Sequence, residues 1–313
     1  MKLSIFGLGY VGSVSAALFA DAGHSVLGVD PNRDKVDLIN DGRPPVVEAG
    51  LSELVAKAAA SGRLSAMQEG RQAVHDTELS IICVGTPSNH NGSLDLTYLR
   101  RVCQEIGAAL ADKDDYHVVV IRSTMLPGTM ESVVVPTLQE HSGKSAGDDF
   151  GVCVNPEFLR EGSAVHDFLH PPKTVIGEID PRAGELLARL YAGIDAPLIR
   201  CPVPVAEMVK YADNAWHAVK VAFANEIGVM CKAFGIDSHK VMEIFCRDTK
   251  LNLSPYYLKP GFAFGGSCLP KDLRALTYRA RQLDIDLPLL RSVLPSNDSH
   301  LQRGLELILS RGR

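Results

Sequence analysis

The stretch Lys2-Leu3-Ser4-Ile5-Phe6-Gly7-Leu8-Gly9-Tyr10-Val11-Gly12 places a glycine-rich turn between a short apolar run and an apolar helical pattern. In that context G-x-G-x-x-G is typical of a dinucleotide-binding turn. Gly7 permits the tight turn, Gly9 lets the backbone approach a pyrophosphate, and Gly12 lets the helix pack on the strand. The helix N-terminus then offers free N–H groups to the phosphates. The alternative is a glycine turn that binds no ligand.

The first half of the chain alternates short β-rich runs with helical patterns, which predicts an α/β fold with a Rossmann-type, doubly wound parallel sheet. The predicted strands are Leu3–Phe6, Ser25–Val29, Leu79–Val84 and His117–Ile121, with Val152–Val154, Thr174–Ile176 and Pro197–Ile199 extending the sheet. The predicted helices are Val11–Ala22, Arg33–Asn40 and Leu96–Leu110.

The pattern changes near residue 203. Between Val205 and about Phe234 there is no proline and one glycine, which predicts a long helix that ends near Gly235. The remainder is mainly helical. We therefore predict a sheet domain with the dinucleotide-binding turn over residues 1–203 and an all-α domain over residues 204–313.

Composition narrows the class of protein. The chain of 313 residues carries a formal net charge of -5, and nothing in it attracts nucleic acid or a membrane surface. No apolar run approaches the roughly 20 residues of a membrane span, and because the apolar stretch at the amino end is short, we expect no signal peptide there. The seven cysteines are scattered without metal-ligand spacing, so we expect a reduced, cytoplasmic protein without a metal.

The cofactor is predicted to be NAD. Asp30 lies about 20 residues after the glycine turn, where a carboxylate accepts the ribose hydroxyls and repels a 2′-phosphate. Lys35 reaches the adenosine side, and two threonines follow predicted strands at the carboxyl edge of the sheet, where ligands bind. Besides the three glycines, the predicted cofactor contacts are Tyr10, Val11, Asp30, Lys35, Thr86 and Thr124.

The stretch Gly265-Gly266-Ser267-Cys268-Leu269-Pro270-Lys271-Asp272 predicts a reactive thiol. Ser267 is a good helix N-cap and Pro270 fits a first helical turn, so Cys268 falls at a helix start beside Lys271. Both surroundings favour a thiolate. The alternative is a small buried hydrophobe, as most cysteines are. An NAD site with a thiol nucleophile suits oxidation of an aldehyde to an acid through a thioester.

Two further polar groups stand out. Lys210 and Asn214 share one face of the long helix, although such a pair is more often a solvated stripe. Glu157 and Glu161 follow a predicted strand in a loop at the carboxyl edge of the sheet, which favours function over simple exposure.

Taken together, the chain from Lys2 to its C-terminus resembles the UDP-glucose/GDP-mannose dehydrogenase family. The segments that carry the resemblance are Phe6–Gly12, Cys83–Pro87, Arg122–Thr129, Asn155–Gly162, Ala206–Asn214, Asn225–Gly228 and Gly261–Leu276.

The resemblance implies roles for these residues. Cys268 is the nucleophile of a second oxidation, and Lys210 and Asn214 stabilise the oxyanion at the sugar C6. Asp272 supports Lys210 or orients water, while Glu157 is the base for thioester hydrolysis. Thr124 holds a water, and Lys271 belongs to the cofactor site. Glu161 lies near the nicotinamide or the sugar. The other implied substrate contacts are Phe158, Leu159, Arg160, His217, Asn225, Tyr256, Tyr257, Lys259, Phe262 and Gly265.

The phrase from Tyr256 to Gly266 looks closest to the GDP-mannose branch. This implies oxidation of GDP-mannose to GDP-mannuronate, the alginate precursor, with two NAD reduced per sugar, by a homodimer. Members of the family carry a further Rossmann-like domain, whereas this sequence stops at Arg313. We therefore expect the chain to lack that domain, to bind NAD, and to turn over GDP-mannose poorly.

Three alternatives remain open from the sequence. UDP-glucose could replace GDP-mannose in the same chemistry. The chain could be a non-catalytic NAD-binding or dimerisation module, in which Cys268 has no reason to label selectively. A single-step β-hydroxyacid dehydrogenase shares the layout of sheet and helices but needs no thiol.

Overall fold

A computed structural model describes residues 1–233, 235–249, 261–282, 284 and 288–311. The chain divides into two compact units, the first comprising Met1–Pro87 with Asp95–Lys210 and the second Ser88–Leu94 with Tyr211–Arg313. The domain boundary at residues 203/204 stays a prediction.

One eight-stranded sheet forms the frame of the first unit, with the strand order β3-β2-β1-β4-β5-β6-β7-β8. The strands from β1 to β6 run parallel, and the order reverses around β1, as in a doubly wound Rossmann sheet. The predicted fold class is therefore confirmed. The strands are β1 (Lys2–Phe6), β2 (Ser25–Val29), β3 (Leu64–Met67), β4 (Leu79–Ile82), β5 (Val118–Ile121), β6 (Gly151–Val154), β7 (Thr174–Glu178) and β8 (Leu198–Pro202).

The last two strands depart from the prediction of a purely parallel sheet. β7 pairs antiparallel to β6, with Cys153 opposite Glu178 and Val154 opposite Gly177, and β8 runs parallel to β7. Hydrophobic periodicity marks strands but carries no information on their direction, so the sequence could not distinguish the two cases. Because an antiparallel partner needs no crossover, the connection 155–173 starts and ends at the carboxyl edge of β6.

Helices cover both faces of the sheet, so its central strands are buried on both sides. In β5, Val118 and Val120 belong to the core on one face, while Val119 and Ile121 belong to the core on the other. Each such side chain contributes about 1.5–3 kcal/mol on burial. The helices are α1 (Tyr10–Asp21), α2 (Arg33–Asn40), α3 (Leu51–Ala60), α4 (Gly70–His75), α5 (Thr97–Ala111), α6 (Val135–Ser142, after a π-helical turn), α7 (Ala164–Leu169) and α8 (Pro181–Ala188).

The long predicted helix is α9, Val203–Ala233. It starts two residues earlier than predicted, because Pro204 sits in its first turn, where proline costs no hydrogen bond. The second unit adds α10 (Ser238–Phe245), α11 (Cys268–Gln282) and α12 (Pro288–Arg311). Its small apolar core joins alanines of α9 to Leu273 and Val293. In the described ranges, every helix is too short or too polar to cross a bilayer.

Candidate active site

The glycine turn has the geometry that a dinucleotide needs. Gly7 has a φ of 95°, a conformation that favours glycine. A Cβ on Gly12 would lie 1.8 Å from the Gly7 carbonyl oxygen, so α1 packs on this turn only without a side chain. A Cβ on Gly9 would meet no atom within 4 Å. Space is therefore open beside Gly9, where the first N–H groups of α1 begin.

A cleft of about 470 Å³ adjoins this turn, within the range of cofactor sites. Asp30 lies on its wall directly after β2 and is 4% exposed. Its carboxylate accepts hydrogen bonds from Leu8 N at 2.8 Å and Asn32 N at 3.0 Å, and Lys35 Nζ lies 3.1 Å away. These contacts hold the carboxylate at the cleft wall. The cleft, the open turn and the acidic group together fit NAD.

Tyr10 stands at the start of α1, but its hydroxyl points to a glutamate that sequence reasoning missed. The hydroxyl donates to the buried Glu48 carboxylate, which also accepts Gly162 N at 2.8 Å and Ala164 N at 3.1 Å. Burial opposes ionisation of Glu48, but these three hydrogen bonds outweigh it and lower its pKa. Glu48 thereby fixes the segment that follows Glu161. The side chain of Glu161 itself is exposed. No local pattern in the sequence predicts this role of Glu48.

The predicted threonines join two neighbouring strand ends. Thr86 Oγ1 donates to the Thr124 carbonyl oxygen at 2.6 Å, which fixes the loop after β5 to the loop after β4. Val11 is half-buried in α1. Thr86 and Thr124 thus lie at the carboxyl edge of the sheet in the first unit, and Val11 lies in the helix that follows β1.

The loop after β6 brings a glutamate to a lysine of α9. Lys210 Nζ lies 2.9 Å from Glu157 Oε1, and both side chains are about nine-tenths buried. The second carboxylate oxygen of Glu157 accepts Leu159 N at 2.7 Å. The half-buried ring of Phe158 lies beside this pair, 5.7 Å from Lys210 Nζ. Arg160 is engaged by Asp167 through a hydrogen bond of 2.9 Å from Nε.

The charge state of Glu157 follows from these neighbours. Burial raises the pKa of this carboxyl, but Lys210, the Leu159 N–H and the more distant Arg122 together outweigh burial, so the pKa falls below its ordinary value. Glu157 is therefore ionised at neutral pH.

In the second unit, Cys268 is the first residue of α11 and its side chain is exposed. The next turn carries Asp272, whose side chain is 1% exposed. Asn214 Nδ2 donates to one Asp272 oxygen, and Lys271 Nζ lies 3.2 Å from the other. Lys271 is thus engaged by a carboxylate, and its predicted effect on the thiol stays a prediction.

The remaining predicted substrate residues lie in the same unit or outside the described ranges. Asn225 is buried and its amide clasps the backbone of 261–262, accepting Gly261 N at 2.9 Å and donating to the Phe262 carbonyl at 3.2 Å. Phe262 and Gly265 are exposed, and His217 is half-buried on α9. Tyr256, Tyr257 and Lys259 lie outside the described residues. Within the described ranges, no three potential metal ligands lie together.

The sheet, the glycine turn and the acidic wall of the cleft define an NAD-binding protein of the Rossmann type. Residues 1–195 match the NAD-binding domain of the UDP-glucose/GDP-mannose dehydrogenase family, and residues 204–299 match its central domain. The chain belongs to this family, and it is an NAD-dependent nucleotide-sugar dehydrogenase.

Relatives and solved structures agree with this assignment. The chain is 56% identical to GDP-mannose 6-dehydrogenase of Pseudomonas aeruginosa, covering 99% of this chain and 71% of that protein. It is 41% identical to a UDP-glucose 6-dehydrogenase of Haloferax volcanii, covering 99% of this chain and 73% of that one. A solved UDP-glucose dehydrogenase from Pyrobaculum islandicum is 39% identical, with a TM-score of 0.94 over 99% of this chain and 71% of its own.

The two glycines of the turn should separate folding from cofactor binding. Gly12→Ala should lower the free energy of unfolding by about 1–3 kcal/mol or more, since the new methyl group collides with backbone. Gly9→Ala should change it by less than about 0.5 kcal/mol, yet weaken NAD binding about 10-fold. Urea unfolding and calorimetric NAD titration measure the two effects. Unchanged NAD affinity in Gly9→Ala would mean that the pyrophosphate lies elsewhere.

Replacement of Lys210 by an apolar residue should lower the stability of the fold, because the buried Glu157 carboxylate then has no cationic partner. Lys210→Met should destabilise the fold by about 3–5 kcal/mol at neutral pH. The difference from wild type should narrow as the pH falls below the ordinary carboxyl value of 4.5, because stability from a lowered pKa is lost when the folded-state carboxylate is protonated.

The matched control is Lys240→Met, which breaks an ion pair of the same 2.9 Å length whose side chains are 62% and 50% exposed. That change should cost less than about 1 kcal/mol. Equal losses in the two variants would show that burial of the Lys210 pair carries no special weight.

Proposed function

We propose that this enzyme oxidises the C6 alcohol of GDP-mannose to the carboxylate of GDP-mannuronate, the alginate precursor, through a thioester on Cys268. The main observation in support of this proposal is that Cys268 is exposed at the start of α11, one turn from the buried Asp272–Asn214 contact. GDP-mannose is favoured over UDP-glucose because relatives named GDP-mannose 6-dehydrogenase are 54–56% identical, against 41% for the archaeal UDP-glucose enzyme.

In the first oxidation the C6 carbon loses a hydride and its hydroxyl loses a proton, which leaves an aldehyde. Bound NAD supplies the hydride acceptor for each of the two oxidations. We assign stabilisation of the developing oxyanion to the Lys210 ammonium and the Asn214 amide. Lys210 also exchanges the alcohol proton, since it releases one of its own protons to water as it takes the proton of the alcohol. Both groups are buried, and a charge interaction is stronger where water is excluded.

In the second oxidation the Cys268 thiolate adds to the aldehyde carbon, and the resulting thiohemiacetal alkoxide loses a hydride to become a thioester. A water molecule then attacks the thioester carbon, which releases the carboxylate and returns the thiol. We assign the proton of that water to Glu157, because its lowered pKa keeps it ionised at neutral pH. Thr124 is proposed to hold this water, and Asp272 to keep Asn214 oriented.

Product stoichiometry and covalent trapping test this proposal. Wild-type protein with NAD and GDP-mannose should turn over slowly but form two NADH per sugar, and UDP-glucose should react at least about 10-fold more slowly in kcat/KM. Cys268→Ser should lower four-electron turnover at least about 100-fold and form no more than one NADH per sugar. Single-turnover absorbance and intact-protein mass spectrometry of the Cys268 adduct follow the two steps.

Cys246→Ser is the matched control, since Cys246 is another thiol of the second unit and lies outside the predicted site. It should leave stoichiometry unchanged. Full activity in Cys268→Ser would favour the single-step dehydrogenase. Absence of NADH with either sugar nucleotide, together with intact NAD binding, would favour the non-catalytic module.

We propose further that the enzyme is a cytosolic homodimer. None of the seven cysteines, all of which the structure describes, is in a disulfide, which favours a reducing compartment. Helix α9 carries three exposed apolar residues, with exposed fractions of 47% for Val205, 50% for Trp216 and 40% for Phe223. Their spacings of about three and two helical turns put them on one face. An exposed apolar face of this kind suits the same face of a second copy.

Trp216→Glu should weaken such a dimer by about 30-fold in Kd or more, since a central interface tryptophan is a typical hot spot. Size-exclusion chromatography with light scattering over a dilution series measures the change. Ile179→Glu, at an apolar residue of 46% exposure in the first unit, should leave the dimer intact. A monomeric wild type at all concentrations would contradict the proposed dimer.

A further inference from the structure

Glu207 is a buried carboxylate that the proposed chemistry does not use. It lies in the first turns of α9 and is 2% exposed. Its two oxygens accept the backbone N–H of Gly128 at 2.8 Å and of Met130 at 3.0 Å. Burial raises the pKa of this carboxyl, against the opposite effect of the two N–H groups. A buried carboxyl group with both oxygens on backbone donors fixes that backbone, because neither hydrogen bond competes with water.

The backbone that Glu207 holds belongs to the loop after β5, which carries Thr124. At its other end this loop is fixed to the loop after β4, where Thr86 donates to the Thr124 carbonyl and Ser123 Oγ donates to the Val84 carbonyl at 2.6 Å. The loop is therefore held on two sides. The start of the loop is held by contacts to the neighbouring strand ends. At its end, Glu207 is the one described side chain that accepts hydrogen bonds from Gly128 N and Met130 N.

Glu207 also lies three residues before Lys210, so the two side chains leave α9 from adjacent positions on one face. A cavity of about 10 Å³ lies beside them. Polar and apolar residues line it together: Arg122, Ser123, Thr124, Met125, Val154, Pro156, Ala206, Glu207 and Lys210. A cavity of this size accommodates about one water molecule. The loop and the helix thus enclose a small space, with several polar side chains at its wall, of the size of the water that thioester hydrolysis consumes.

We infer that Glu207 is a positioning residue that fixes the loop after β5 to α9, so that Thr124 and Lys210 enclose the hydrolytic water. The inference rests on the proposed thioester route. It assigns Glu207 to the last step only: release of the product from Cys268, in which water breaks the carbon–sulfur bond and its proton leaves. The two hydride transfers do not depend on it.

Glu207→Gln tests this role, because the amide keeps the shape of the side chain but loses one acceptor oxygen. Amide hydrogen exchange at residues 128–130 should become about 10-fold faster. In rapid-quench experiments with NAD and GDP-mannose, formation of NADH should stay within about twofold of wild type. Hydrolysis should slow by about 10-fold, so that a sugar adduct on Cys268 accumulates and is seen by intact-protein mass spectrometry.

Glu131→Gln is the control, since it removes the same charge from an exposed residue of the adjoining helical turn. It should leave exchange and both chemical steps unchanged. If Glu207→Gln does not fold cooperatively, Glu207→Asp, which keeps both oxygens on a shorter side chain, replaces it with the same expected readouts.

A proportional loss of hydride transfer and hydrolysis, without accumulation of the adduct, would overturn the positioning role and leave Glu207 as a residue of stability alone. So would a Glu207 variant whose adduct decays at the wild-type rate. Failure of the proposed function looks different, because wild-type protein itself would then not form two NADH per sugar with either sugar nucleotide.

Discussion

The contact between Glu157 and Lys210 is the electrostatic constraint around which the carboxyl edge of the sheet is organised. Removing two charges from water costs several kcal/mol per ion, and only close pairing with further hydrogen bonds repays that cost. Here the pair is 2.9 Å long, and the Leu159 N–H satisfies the second carboxylate oxygen. If either side chain moved away, the other would be a buried charge without a partner. The loop after β6 and the first turns of α9 therefore keep a fixed geometry.

The sheet topology explains why that loop is available at this edge. Parallel strands deliver all their following loops to one side, which is how the glycine turn and the loops after β4 and β5 come together. A parallel β7 would have carried the chain away through a crossover to the opposite edge. Because β7 is antiparallel, the segment 155–173 returns at the same edge, and Glu157, Arg160 and the Glu48-bound backbone of Gly162 all remain there.

Much of this was accessible from the sequence, because local physics fixes it. The glycine spacing, strand periodicity and the proline-free run predicted the sheet, the NAD turn and α9. β3 was missed because Leu64–Met67 is short and has no β-branched residue. Glu48 and Glu207 were missed because their partners lie 116 and up to 79 residues away, and such contacts leave no periodic trace. For Glu207 the one available signal was its spacing of three from Lys210.

That spacing points to a broader property of α9. Glu207, Lys210, Asn214 and Asn225 are all buried, and because 18 residues make five turns, the first and last lie on the same side of the helix. Each is satisfied by a different segment: the loop after β5, the loop after β6, α11 and the backbone of 261–262. A buried polar group without a hydrogen-bond partner lowers the stability of the fold by several kcal/mol. Each of these four segments is therefore held at its own position along α9 by one polar side chain of the helix.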